Sequence, residues 1–283
     1  MNLHDSDSVF AGSVPELYDE LLVPLIFEPY ADDLVSRLSE FAPDSVLEVA
    51  AGSGVASRAM SAGLDPSTTI VCSDLNQPMI DHAKAIGTAN QVEWRQADVM
   101  DLPFEAESFE AVVCQFGVMF FPDCAEAFSE ISRVLRPGGM FLFNVWDCIA
   151  ENEFADVVTQ AVATLFPDDP PRFLDRTPHG YYEESIINGH LAAAGFDMPA
   201  DFDAVVERSV ASSSEIPAIA YCQGTPLRNE IEERDPGRLL EATAAASRAI
   251  ADRFGTGSID GKISGFVVSA RRPPVFPPQT EET

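Results

Sequence analysis

Apolar residues recur along this chain as short runs separated by helical stripes, and that alternation sets the expected elements. Val46, Leu47 and Val49 form a short run that predicts a buried parallel strand. Residues 69–74 (TIVCSD), 91–96 (QVEWRQ), 109–116 (FEAVVCQF) and 140–146 (MFLFNVW) predict four more. Between them Val55, Ala56, Ala59 and Met60 lie at helical spacing, as do Met79, Ile80, Ala83 and Ile86 after Asn76 and Pro78. A third stripe, Ala127, Phe128, Ile131, Val134 and Leu135, follows Asp123, and Glu126 three residues on completes the look of a capping box. Pro137-Gly138-Gly139 is expected to stop that helix. Strand and helix in repeated alternation predict a parallel sheet with helices on both faces.

The flanks are less regular. Residues 15–41 read as helical, through Leu17, Leu21 and Leu22 and then Leu34, Val35, Leu38 and Phe41. Tyr18-Asp19 and the aromatic group Phe27, Pro29, Tyr30 fall between these faces. Beyond Asp147 a helix through Phe154 and Leu165 leads to a proline-rich loop, 167–171, read as a lid. A helix over 186–194 and a sixth strand over 202–210 follow. About fifty residues with Leu239, Leu240 and Ile250 on helical faces then precede a last strand near 263–270, and read as a helical part of a substrate pocket. The expected division is 1–44 as an N-terminal helical cap, 45–148 as a core, 149–272 as the rest of the sheet with lid insertions, and 273–283 as a disordered tail.

Composition narrows the function classes. Of 283 residues, 46% are hydrophobic, and no apolar run approaches the length of a membrane span. The N-terminus lacks the basic-then-apolar order of a secretory signal. The net charge of −29 reads as solubility or adaptation to salt, and disfavours a nucleic-acid partner. Five cysteines without a C-x-x-C pair suggest a reducing cytoplasm and no metal site.

The chemistry concentrates where the first strand breaks into Ala50-Ala51-Gly52-Ser53-Gly54 and opens a helix. Small residues there let a ligand approach the backbone, and the helix start offers unpaired N–H groups. Glu48 sits inside the apolar run, where a carboxylate needs a partner. Asp74, 22 positions after Gly52, ends the second strand at the spacing of a ribose-binding acid. Asp98 at the end of the third strand is placed to accept from an adenine amino group. Gln115 and Phe116, with the apolar residues that follow, are expected to wall a pocket at the sheet's carboxyl edge.

Taken together, Glu48-x-Ala50-x-Gly52-x-Gly54, Asp74, Ala97-Asp98-Val99, Gln115-Phe116 and LRPGGMFLF at residues 135–143 make the chain resemble the class I S-adenosylmethionine-dependent methyltransferases, of the small-molecule, ubiquinone/menaquinone-biosynthesis-like type. The family motif usually has glycine where this chain has Ala50. The resemblance implies a Rossmann-like α/β fold: seven strands, the last antiparallel between the fifth and sixth. It implies the methionyl end of S-adenosyl-L-methionine over Gly52, Ser53 and Gly54, with Glu48, Ala50 and Ala51 in the same motif. Asp74 would take the ribose, Leu75 and Met79 the adenine faces, Asp98 the adenine amino group with Val99 beside it. Gln115 and Phe116 would lie near the sulfonium, and Tyr18 would close over the amino-acid end.

The expected activity is methyl transfer to O, N or C of a small apolar or aromatic metabolite, in a cytoplasmic protein for which a homodimer is left open. Of four histidines, His179, beside Tyr181 and Tyr182, is the candidate general base. An exposed loop histidine is the competing account of it. His4 and His82 read as surface residues and His190 as structural. Two other functions fit the glycine turn. One is a protein that binds S-adenosylmethionine without transferring its methyl group. The other is a NAD-dependent oxidoreductase, whose fingerprint needs a third glycine where Val55, Ala56 and Ser57 stand.

Overall fold

The structure, a computed structural model, describes residues 14–274. The N-terminus with His4, and the tail from Val275 onward, lie outside the described residues. The chain opens with α1 (Val14–Leu17), a π-helical segment (Tyr18–Phe27) and α2 (Glu28–Phe41). Then come β1 (Ser45–Glu48), α3 (Val55–Gly63), β2 (Thr69–Asp74), α4 (Gln77–Ile86), β3 (Glu93–Gln96), β4 (Phe109–Gln115), α5 (Cys124–Val134) and β5 (Leu135–Trp146). The C-terminal half contributes α6 (Glu153–Ala163), α7 (Phe173–Arg176), α8 (Glu184–Ala193), β6 (Asp201–Ala211), α9 (Glu215–Gln223), α10 (Leu227–Arg234), α11 (Leu239–Phe254) and β7 (Ile259–Arg271).

The seven strands form one sheet in the order β3-β2-β1-β4-β5-β7-β6. β1 to β5 pair in parallel, and β7 runs antiparallel to both β5 and β6. The Rossmann-like topology and the place of the reversed last strand are as expected. Side chains alternate across the sheet, so successive residues feed opposite layers. Val46, Val113 and Leu142 pack with Leu34, Leu38 and Met60 of α2 and α3. Leu47, Val112, Phe141 and Phe143 pack on the other face with Phe128 and Ile131 of α5.

Several boundaries differ from the sequence reading. The N-terminal stripes are one uninterrupted helical run from Val14 to Phe41, so Tyr18, Asp19, Phe27 and Tyr30 lie within it. Its middle widens to π geometry around Pro24, which has no N–H to donate, and the wider turn accommodates the missing bond. β5 begins at Leu135, ahead of the expected Met140, because Leu135 already pairs with Phe109 of β4; the Pro-Gly-Gly stretch, with Gly138 at φ +80°, bulges out between that pair and Ala111–Met140. Asp123 does cap α5, accepting from the N–H groups of Ala125 (2.9 Å) and Glu126 (3.0 Å). Among the described residues no helix is long and apolar enough to cross a membrane.

Candidate active site

Two cavities open at the carboxyl edge of the parallel strands, where the loops after β1, β2, β3 and β4 converge. The first, of about 950 Å³, is lined by Ala50 and Gly52 after β1, Asp74 and Leu75 after β2, and Asp98 and Val99 after β3. Met79, Gln115 and Phe116 also line it. The second, of about 560 Å³, lies between the N-terminal helical run and the insertions after β5 and β6. Tyr18, Phe116 and Phe120 belong to both walls, so the cavities adjoin there.

Asp74 is nearly buried. Its Oδ2 accepts from the N–H of Gly52 at 2.8 Å and its Oδ1 from the N–H of Asn76 at 2.7 Å. Burial raises this carboxyl above the ordinary aspartate range, while the backbone donors from Asn76 and Gly52 pull it back. A carboxylate has about four lone-pair sites, so Asp74 keeps acceptor capacity for hydroxyl groups in the cavity. Asp98 uses Oδ1 on the N–H of Met100 at 2.9 Å. Gln115 donates through Nε2 to the carbonyl of Phe27 at 2.8 Å, and its Oε1 is buried with no partner among the described residues. Tyr18 stacks on Phe27 with ring centroids 5.1 Å apart. Its hydroxyl is pushed up by burial and then by the charges of Asp74 and Asp19.

Not every residue of the glycine motif reaches the cavity. Glu48, Ala51, Ser53 and Gly54 lie outside its lining. Glu48 is 1% exposed and accepts from the Ser57 hydroxyl of α3, behind the loop. Burial pushes its carboxyl up to about 7, against hydrogen bonds from Ser57 and Cys72 that lower it. Gly54 serves packing: at φ +85° it starts α3, and a Cβ there would come within 2.9 Å of the Trp94 ring and 3.1 Å of Ala83. Ala50 adopts φ +53°, a left-handed conformation that costs a non-glycine residue about 1–2 kcal/mol. Its methyl group fits because Gly117 faces it; a Cβ on Gly117 would lie 2.6 Å from that of Ala50.

The second cavity has ring walls. Phe116, at φ +51°, stacks on Trp146 with centroids 3.7 Å apart, and Tyr30 meets both edge-on. His179 lines this cavity and is 5% exposed, so it is not an exposed loop histidine. Its Nδ1 is 2.9 Å from the carbonyl of Asp147, which fixes the tautomer with the proton on Nδ1. Burial lowers its pKa to about 4, although that carbonyl opposes the shift. His190 is hydrogen-bonded to the Tyr181 hydroxyl at 2.7 Å, a structural role. His82 is partly buried, 3.9 Å from the Asp19 carboxylate.

Sequence reasoning missed most of the second cavity. Trp146, at the carboxyl end of β5, gave a positional signal; Phe173 and Tyr221, in the two insertions, gave none. It also missed Arg58, which donates to the carbonyl of Ser53 at 2.7 Å and to Asp19 at 2.9 Å. That side chain ties the Tyr18 segment to the glycine loop.

A family model described as a methyltransferase domain matches residues 47–143. A demethylmenaquinone methyltransferase of Clavibacter sepedonicus is 33% identical over 165 residues, covering 55% of this chain and 66% of that protein. An uncharacterized protein of Mycobacterium tuberculosis is 38% identical over 131 residues, 45% of this chain and 44% of that protein. The chain spans about half the length of the curated relatives it matches. The crystal structure of a putative methyltransferase from Bacillus halodurans shares the fold, with a TM-score of 0.53 at 20% identity, over 84% of this chain and 98% of that one.

Proposed function

We propose that this chain, which belongs through its methyltransferase domain to the class I S-adenosylmethionine-dependent methyltransferases, moves a methyl group to O, N or C of a small, apolar or aromatic metabolite. The observation that carries the reading is the junction of two unlike cavities at Tyr18, Phe116 and Phe120. The first suits the cofactor. Asp74 offers acceptor sites for a ribose diol, Leu75 and Met79 offer apolar faces for a base, and Asp98 keeps an oxygen for an amino group. The unpartnered Oε1 of Gln115 is a buried acceptor suited to a donor such as an ammonium group. Glu48 acts at one remove, holding α3 against β1 through Ser57.

When bound, the cofactor supplies a methyl group on a sulfonium sulfur that leaves as a neutral thioether. The protein then has to hold the acceptor in line and keep water out, and positioning of this kind is worth roughly 7–11 kcal/mol. Phe116 and Trp146, backed by Tyr30, provide a rigid dry wall for it. His179, neutral at pH 7, presents the lone pair of Nε2 to a proton on the acceptor. With a pKa of about 4 it orients that proton more strongly than it binds it.

The net charge of −29 supports a small acceptor over a nucleic acid. The free cysteines suit a reducing compartment such as the cytoplasm. Calorimetry with S-adenosylhomocysteine and with NAD tests the cofactor. Binding of the first without the second is expected, and no affinity for the first would end the reading. Release of S-adenosylhomocysteine over a panel of metabolites then tests transfer itself, against a protein that only binds the cofactor.

A further inference from the structure

The hydrogen-bonding atoms of the second cavity can be counted, because its walls are mostly rings and aliphatic groups. Among the described residues no charged side chain lines it. Asn152 is fully engaged. Its Nδ2 donates to the carbonyls of Asp147, Cys148 and Ser264 at 3.1–3.3 Å, and its Oδ1 accepts from the N–H of Ser264 at 3.1 Å. Thr225 is engaged too, donating to the carbonyl of Tyr221 at 2.6 Å and accepting from the N–H of Leu227 at 3.2 Å. His179 keeps only Nε2, since Nδ1 is held by the Asp147 carbonyl.

The Tyr221 hydroxyl, carried by α9, has no hydrogen-bond partner among the described residues. Burial alone pushes its titration up, which keeps the proton on it and makes it a donor. Besides the Tyr18 hydroxyl and the indole N–H of Trp146 on its walls, the cavity thus presents the Nε2 lone pair of His179 and the O–H of Tyr221. A hydroxyl group is itself one donor and one acceptor.

We infer that the acceptor is a neutral hydroxylated aromatic compound, its O–H accepted by His179 Nε2 and an oxygen of the same molecule accepting from the Tyr221 hydroxyl, which makes Tyr221 a specificity-determining residue. The inference rests on the methyltransferase reading above. A carboxylate or an ammonium group entering this cavity would lose its water without meeting an opposite charge. An unsubstituted hydrocarbon would fit the rings of Phe116 and Trp146 but leave His179 Nε2 and the Tyr221 hydroxyl unpaired.

The test uses three probes of one shape, 2-naphthol, naphthalene and 2-naphthoate, titrated by calorimetry into the full chain saturated with S-adenosylhomocysteine. The wild type is expected to bind 2-naphthol about tenfold more tightly than either of the others, the size of one good buried hydrogen bond. In Tyr221→Phe that preference should shrink to about threefold or less while the affinity for naphthalene is kept. Equal affinity for naphthol and naphthalene in the wild type, or tighter binding of the naphthoate, overturns the inference without any variant. An undiminished preference in a folded Tyr221→Phe overturns the role of Tyr221. If S-adenosylhomocysteine itself fails to bind, it is the methyltransferase reading that falls, and the two failures are told apart.

Discussion

The first cavity sets carboxylates and main chain among apolar side chains; around the second the walls are mostly rings. Asp74 holds its position by accepting backbone N–H groups of the loop after β1 and of its own, and Asp98 by accepting one of its own. Phe116 and Trp146 hold theirs by stacking on each other and against Tyr30. A polar ligand with fixed hydroxyl and amino groups is matched by groups fixed to the backbone, because hydrogen bonds are directional. An apolar acceptor is matched by shape and by exclusion of water, which carry little direction. The two cavities also titrate oppositely, since burial raises the Glu48 carboxyl behind the first and lowers the His179 imidazole in the second.

The largest expected effect separates the cavities directly. Asp74→Ala removes a charged acceptor and strands the N–H groups of Gly52 and Asn76, so affinity for S-adenosylhomocysteine should fall about a hundredfold by calorimetry. Binding of 2-naphthol at saturating S-adenosylhomocysteine should change little, and a comparable loss there would deny that the cavities are distinct.

Next in size is the contact that joins the glycine loop to β4. Gly117→Ala would set a methyl group 2.6 Å from Ala50 Cβ and 2.7 Å from Cys114 Sγ. It should destabilise the protein by about 1–3 kcal/mol in urea unfolding. Ala50→Gly in the same chain should recover part of that loss, by removing one clashing atom and relieving the left-handed backbone. Additive effects of the two changes would show that they do not meet.

Smaller is the mirror of the first experiment. Trp146→Leu strips the ring that stacks on Phe116 from the second cavity alone. Affinity for 2-naphthol should drop about tenfold with S-adenosylhomocysteine affinity unchanged, within the range of a lost aromatic contact plus its buried area.

The last comparison is in pH dependence. Glu48 titrates at about 7 when folded, against 4.5 for the free group, so the folded state holds its proton more tightly between those values. Its contribution to stability is present below pH 4.5 and is lost as pH rises through about 7. Glu48→Gln should therefore gain on the wild type between pH 5 and pH 8 in urea midpoints. His179 runs the other way: its folded pKa of about 4 lies below the free value of 6.5. Its contribution is complete above pH 6.5 and is lost as pH falls toward about 4. A midpoint difference between Glu48→Gln and wild type that is the same at both pH values would remove Glu48 from this account.

The strands themselves, the parallel run of the first five, the turn after β1 and the acids ending β2 and β3 were legible in the residues, while the place of the reversed last strand came from the family resemblance. Each is a local matter: apolar periodicity, small residues at a turn, an acid at a fixed spacing from it. The partners of those residues were not legible. Glu48 sits in the motif yet turns away from the cavity to Ser57, and Gly54 is required by the ring of Trp94, 40 positions further on. The second cavity was less legible still. Leu22, Trp146, Phe173 and Tyr221 come from four separate elements, and nothing in their spacing distinguishes a cavity wall from ordinary core. Sequence alone determined the strands, the helices between them and the loops at the carboxyl edge, because those follow from neighbours along the chain. Only the tertiary structure decided which rings and polar atoms share a cavity, because those contacts join separate elements 30 to 116 residues apart along the chain.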